Sequence, residues 1–428
     1  MLFKRIIAVI TAFLSVLFAN TPISKNFVDD KDIEHKYIII QDADNESTIA
    51  LIKELYGEAN PENEVMCAIG VCGPLLLTDS CKVIAEKTEK AFQLALKHNI
   101  PVWFQIDDVN NQYYAYGGEN YVTADKWYEN PENVEKLGFG EDAPLAPYWF
   151  NWGYWQKTPA MPCLNSESFI AFIKSQLQNG FLPVLEKWMN TLKELDREYL
   201  FAGVSVGWET RIPDYTGIPD GTVDQNGVAI TEEEQNMTGY RALENLGFKD
   251  EASLEAEAKK QHISTERLRY NLFSQVIHDY SEMICREIYN IGIEKTKIFT
   301  HLVIDSRVIE NGKNISYNSP LVSAAVNDYS TPGFTNSSNV SLNRLGTLKT
   351  KIAKADITQQ HYGIVEGYAA GLNESTKDTV KYFNRLFSSG AIVVAIYGIH
   401  DNSGSIYAVP KTADAPFSCA VRQIIGNE

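Results

Sequence analysis

Read as a succession of apolar and polar positions, the chain alternates short uninterrupted apolar runs with longer amphipathic ones. From residue 65 the run Val-Met-Cys-Ala-Ile-Gly is apolar throughout, and over 80–98 apolar residues recur at helical spacing (Val83, Ile84, Ala91, Phe92, Leu94, Ala95). The first pattern predicts a strand buried on both faces and the second a helix with one covered face. The alternation then repeats. Strands are predicted over 101–106, 199–207, 297–303, 357–364 and 391–398, with a weaker one at 323–326. Helices are predicted over 166–195, broken near Asn179-Gly180, over 268–291 and over 377–387. A short strand at 37–40 and a helix at 47–56 fall within the polar, charge-mixed stretch 20–64, read as an N-terminal extension packing on the domain. Residues 211–263, first rich in Pro, Gly and Asp and then charged and helical, read as an insertion.

About eight strands, mostly with helices between them, predict an α/β fold: a (β/α)8 TIM-type barrel with long βα-loop insertions, forming one domain over 65–428. A doubly wound open sheet is the alternative, weakened because no Gly-rich phosphate loop follows any strand.

The first residues change the picture of where the chain works. Lys4 and Arg5 precede an apolar run from Ile6 to Phe18, and Ala19 offers a small residue for cleavage. This reads as a signal peptide over 1–19, hence a secreted or periplasmic protein without stable membrane insertion after cleavage. An uncleaved anchor is the alternative. Six cysteines in an exported chain allow disulfides, most easily among Cys67, Cys72 and Cys81, although Cys67 also reads as a buried strand thiol. The formal net charge of -17 repels phosphate backbones, which excludes nucleic acid as a natural partner. A neutral oligo- or polysaccharide is compatible with it. Oligomeric state is not legible, and no cofactor motif occurs.

In a barrel, chemistry gathers where strands end. The polar residues at those points are Asp107 and Asp108, Trp149 and Asn151, Trp208 and Glu209, His301, Asn327, His361, Glu366 with Tyr368 nearby, and His400. An apolar strand ending in Gly-Trp-Glu sets a carboxyl beside an indole, and an apolar neighbour raises a carboxyl pKa as a general acid requires. The competing reading is an ion pair between Glu209 and Arg211. Glycoside cleavage needs a second carboxyl. Glu366 is the candidate partner, against the alternative of a solvent-facing loop glutamate. Asp107 and Asp108 either bind sugar hydroxyls or cap the following turn. The aromatic cluster 148–155 offers ring faces for sugars, with Trp103, Gln105 and Trp208 extending it, or else packs as a lid.

A Glu ending strand four and another ending strand seven resembles clan A of the glycoside hydrolases, the retaining glycosidases built on this barrel. The resemblance covers roughly residues 65–400. It implies Glu209 as acid/base and Glu366 as nucleophile. The chain has Trp208-Glu209-Thr210 where the clan commonly has Asn-Glu-Pro. Its Trp-Glu-Thr-Arg-Ile-Pro run is also similar to the acid-bearing segment of β-amylases, which invert, so Glu366 is read as nucleophile or base. Two rivals remain. His301, His361 and His400 would bind a metal with Asp401 or Asp107 in an amidohydrolase-like barrel, although no His-Glu-x-x-His occurs. A catalytically inactive glycan-binding barrel is the other.

Overall fold

Apolar on both faces, the predicted strands can be satisfied only inside a sheet wrapped by helices, and in the computed structural model they form one parallel ring. The structure describes residues 33–109, 127–151, 155–158, 160–216, 218–219, 221–224, 226–303, 320–336, 345–369, 371–399 and 409–427. The ring strands are β1 (Lys36–Ile40), β2 (Val65–Leu75), β3 (Val102–Asp107) and β4 (Phe201–Val206). Then come β5 (Ile298–Thr300, resumed after His301 as Leu302–Val303), β6 (Gly333–Asn336), β7 (Tyr362–Gly367) and β8 (Ala391–Ile396). The first half of β5 pairs with β4 and the second half with β6, so both edges of the sheet belong to one strand. The barrel is therefore closed and its sheet has no free edge.

Three expectations are corrected. The barrel begins at β1 rather than at residue 65: Tyr37 pairs with Met66 on one side and Val393 on the other, so the supposed extension supplies a ring strand. Its apolar run is short and flanked by polar residues, which hid its central place. Residues Val322–Ala325 form a 3-10 turn, and the sixth strand is Gly333–Asn336. That segment has no apolar run; Gly333 is required there because a Cβ would lie 2.0 Å from the Thr300 carbonyl oxygen. The aromatic cluster forms an antiparallel hairpin, Tyr148–Asn151 with Trp155–Thr158, outside the ring.

Helices cover the ring: α1 (Glu46–Tyr56), α2 (Cys81–His98), α3 (Glu167–Gln176), α4 (Leu182–Glu194), α5 (Tyr240–Asn245), α6 (Glu251–Lys260), α7 (Thr265–Asn290), α8 (Leu345–Ala355), α9 (Thr376–Ser388) and α10 (Pro416–Ile425). Side chains of Asn45, Ser80, Ser166, Ser264 and Ser375 accept from backbone N–H groups in the first turns of α1, α2, α3, α7 and α9. The expected break near Asn179-Gly180 is a π turn over Leu177–Phe181. Pro183 lacks an N–H there, and a Cβ on Gly180 would lie 3.1 Å from Ile84 of α2. On α9 the stripe Thr379, Tyr382, Phe383, Leu386 and Phe387 is buried, the spacing of one helix face. Each such large apolar side chain contributes about 1.5–3 kcal/mol on burial. The insertion carries α5 and α6, which pack through Leu243, Leu254 and Ala258 onto Leu268 at the start of α7.

Inside the ring, alternation builds layers. Ile39, Ala68, Trp103, Phe299 and Ala395 belong to one buried cluster that fills the barrel interior. Two residues further along the same inward faces come Gln41, Gly70, Gln105 and His301, so the apolar plug is roofed by a polar layer. All six cysteines are thiols and none is in a disulfide, which corrects the disulfide expectation; Cys67 is the buried strand thiol foreseen. The signal segment 1–19 lies outside the described residues. Among the described residues no helix is long and apolar enough to cross a membrane.

Candidate active site

The polar roof of the barrel centres on Glu366. Carried by β7, where the pairing with β6 shifts register between Ile364 and Glu366, its side chain is 5% exposed. It is reached from three other strands or their ends. Gln105 of β3 donates through Nε2 to Glu366 Oε2 at 3.1 Å, and the Trp208 indole after β4 hydrogen-bonds the same carboxyl. His301, at the break in β5, holds Nε2 3.8 Å from Glu366 Oε2.

Glu209 follows β4 through a tight turn in which Gly207 has φ 87 and Glu209 itself φ 56. A non-glycine residue in the left-handed region is uncommon and costs of order 1–3 kcal/mol, a strain that recurs at functional sites. The turn is held by the Thr210 N–H, which donates to the His301 carbonyl at 3.3 Å. Glu209 Oε2 lies 3.5 Å from Arg211 Nη1, so the foreseen ion pair is present, although both side chains are 14% exposed and accessible from the mouth.

The two carboxyls sense each other. Burial first, and the charge of Glu209 second, push the Glu366 carboxyl up to about 8, while hydrogen bonds from Gln105 and Trp208 oppose the rise. The indole next to Glu209 in the sequence thus serves Glu366. Burial holds His301 down to about 3, so its ring is neutral and the contact with Glu366 is no ion pair. Its Nε2 instead meets the Thr335 hydroxyl at 2.8 Å, and at 0% exposure it supports the site from beneath.

Other expected site residues are placed differently. Asp107 and Asp108 are buried, Asp107 capping its own turn by accepting from the Val109 N–H at 3.4 Å. Burial and the neighbouring Asp107 raise the Asp108 carboxyl well above the usual range, and the Tyr280 hydroxyl donates to the Asp108 backbone oxygen at 3.0 Å. Trp149 is 2% exposed and packs with Trp155, Tyr215, Ile218 and Ile230, so its ring is lid core and no sugar platform. The backbone of Asn151 pairs with Trp155, and its side chain lies outside the described residues. Trp103 is fully buried against Phe299, with ring centroids 5.2 Å apart.

His361 and Asn327 precede β7 and β6, at the opposite end of the barrel from the carboxyls. Asn327 there bonds Ser330 and the Tyr329 N–H. The run 357–364 leads into β7 and the run 323–326 into a 3-10 turn ahead of β6, so both residues stand before a strand's start and not at its end. His301 and His361 therefore cannot share one metal. His400 and Asp401 lie outside the described residues. Among the described residues, the group able to ligate a metal together is His278, Asp279 and Glu282, all on α7 and away from Glu366.

Tyr368 does sit at the mouth, bridging Tyr397 past the end of β8. Tyr397, Cys72, Asp42 and Gln41 complete the surroundings and were not foreseen. Burial first, with Asp42 and then Glu366 among the lesser causes, raises both Cys72 and Tyr397, which places all four in one electrostatic neighbourhood. The signal for Gln41 was available: it ends an all-apolar run, as Glu209 does.

The architecture is that of a (β/α)8 barrel whose C-terminal mouth holds two acidic side chains. No protein-family model and no curated protein sequence matches the chain. Solved structures similar to it include the glycoside hydrolase domain of PgaB (BpsB) from Bordetella bronchiseptica, at 11% identity over 91% of this chain and 98% of that one, TM-score 0.45. The endo-1,4-β-mannanase of Rhizomucor miehei is similar at 9% identity over 93% and 96%, TM-score 0.48. The exo-β-1,4-mannosidase Op5Man5 from Opitutaceae bacterium strain TAV5 is similar at 8% over 95% and 63%, TM-score 0.43.

Proposed function

We propose that the protein is a glycoside hydrolase in which Glu366 is the nucleophile and Glu209 the acid/base. One observation carries the reading: carboxyls ending β4 and lying on β7 share the barrel mouth closely enough for the charge of one to raise the other. Two-carboxyl cleavage needs one carboxyl ionised and the other protonated; with Glu366 raised to about 8, its attack requires loss of that proton, so turnover is expected to rise with pH through this value. The donors around Glu366 favour the role of nucleophile. Gln105 and Trp208 both offer N–H groups, which only an acceptor, the ionised carboxylate, can use fully. Glu209, on a turn at the rim, is the group that solvent and a leaving sugar can reach.

A Glu366 oxygen attacks the anomeric carbon, the glycosidic C–O bond breaks, and the Glu209 proton passes to the leaving oxygen. Water then displaces Glu366 from the sugar and returns a proton to Glu209. Neutral His301 bears on the support of these groups and not on proton transfer. The substrate is a glycan, and the protein is exported on the strength of its basic and apolar N-terminal run.

The test is turnover of aryl glycosides with the product anomer followed by NMR. Retained configuration is expected, with Glu366→Gln inactive. Glu209→Gln should lose activity most on substrates with poor leaving groups and recover it with azide. Inverted product, or full activity in Glu366→Gln, removes the proposal.

A further inference from the structure

Gln41 and Gln105 lie on adjacent inward positions of the barrel roof, and their amides form a chain that ends on Glu366. Gln41 Nε2 donates to the backbone oxygen of Val365 at 2.9 Å and also to Gln105 Oε1. Gln105 Nε2 in turn donates to Glu366 Oε2 at 3.1 Å. Gln41 and Gln105 are both 0% exposed, so water does not compete for these groups.

The direction of the chain is set at its far end. A backbone carbonyl can only accept, so Val365 requires the nitrogen of the Gln41 amide. That NH2 has a second hydrogen, which requires the oxygen of Gln105. Gln105 is then obliged to turn its own NH2 toward Glu366. Without Gln41, either face of the Gln105 amide could meet the carboxyl, and the flipped one would set an amide oxygen against Glu366, a contact that the protonated carboxyl can satisfy and the carboxylate cannot. Room for the arrangement is built in on β2, where a Cβ on Gly70 would lie 2.9 Å from both Cα and Cγ of Gln41.

We propose that Gln41 is a positioning residue that acts through Gln105, fixing which atom of that amide meets the Glu366 carboxylate. The proposal rests on the reading of Glu366 as nucleophile and adds to it a residue from the first strand of the ring. Other groups facing Glu366 set the background against which it acts: Glu209 after β4, His301 in β5, Cys72 on β2 and Tyr397 after β8, with Asp42 beyond the last two.

The experiment compares the full chain with Gln41→Met, Gln105→Met and the double variant. Glu366 is titrated by 13C NMR of glutamate-labelled protein, and kinetics are measured on an aryl glycoside. Gln41→Met should raise the Glu366 midpoint by about one pH unit and lower kcat/KM by about 10-fold, mostly in kcat, the scale of one charge-assisted hydrogen bond. In the Gln105→Met background the Gln41 change should add nothing, since the two act as one unit. An unchanged midpoint, or additive losses in the double variant, overturns the proposal. A wild-type measurement guards against a variant that fails to fold: the Gln105 side-chain amide signals should move with the Glu366 titration and those of Gln41 should follow more weakly. Gln41 signals indifferent to that titration also overturn it. A wild-type protein that shows these amide shifts yet cleaves no glycoside supports the relay and counts against the glycosidase reading alone.

Discussion

Replacing Glu209 by Gln removes a charge and almost no volume, so its effect on Glu366 isolates the interaction between the two carboxyls. Carboxyl pairs that cleave glycosides stand about 5–9.5 Å apart. At an effective dielectric constant of about 20, unit charges at those separations repel by about 1.7–3.3 kcal/mol. That corresponds to about 1.3–2.4 pKa units. Glu366, held at about 8 in the native protein, should therefore titrate between about 5.5 and 7 in Glu209→Gln. It does not return to the ordinary carboxyl value, because burial is the larger cause and survives the substitution. The assay is 13C NMR of the Glu366 side-chain carboxyl, assigned by its disappearance in Glu366→Gln and followed from pH 4 to 10. A midpoint within about 0.3 units of the native one would mean that the carboxyls do not communicate. The two-carboxyl chemistry would then lose its basis.

Two further outcomes follow from the same geometry. Glu366 is raised from 4.5 to about 8 in the folded protein, so between those values the native state keeps a proton that the unfolded chain has lost, and stability falls as pH rises through the window. Urea unfolding at pH 5 and 8.5 should show a loss on the order of a few kcal/mol in the native protein and much less in Glu366→Gln; equal losses in both would contradict the assignment. Gly207→Ala places a Cβ 2.1 Å from Thr210 Oγ1 at φ 87, so it should displace the Glu209 turn and cut turnover at least about 10-fold while the thermal midpoint drops only a few degrees. Full turnover in that variant would show that the turn does not position the acid.

How far the sequence can be read depends on what each segment had to satisfy. Strands such as Val102–Asp107 and Ala391–Ile396 are buried on both faces, and their apolar runs, Val102–Phe104 in the first and the whole of the second, declare them. Gly333–Asn336 is equally buried, but its Phe-Thr core is too short to register, and its fit comes from a glycine that lets the Thr300 carbonyl approach. Only neighbours distant in the chain reveal that need. Glu209 and Glu366 stand out as candidates in the sequence because a carboxyl directly after, or within, an apolar run is unusual; the Arg211 pairing of Glu209 was equally foreseeable from their spacing. Gln41 carried the same mark but was passed over, since a five-residue strand in a polar stretch gives no sign that it closes a ring. Trp149 shows the opposite error. Consecutive aromatics suggested exposed faces, whereas the insertion supplies Tyr215, Ile218 and Ile230 to bury Trp149 and Trp155.

His301 shows why the break in β5 matters to the chemistry. A continuous strand would spend its backbone groups on its two neighbours; here the pairing changes from β4 to β6 across this one residue, and its carbonyl accepts from the Thr210 N–H instead. That bond anchors the strained turn on which Glu209 rides. The ring of the same residue bonds Thr335 and stands beside Glu366, where burial keeps it neutral. A charged imidazole would draw Glu366 into an ion pair and weaken it as a nucleophile, and an apolar side chain would leave the Thr335 hydroxyl without this partner. Neutral and fully buried, His301 ties the backbone of one carboxyl to the side chain of the other. The break in β5 thus links the turn that carries Glu209 to the surroundings of Glu366.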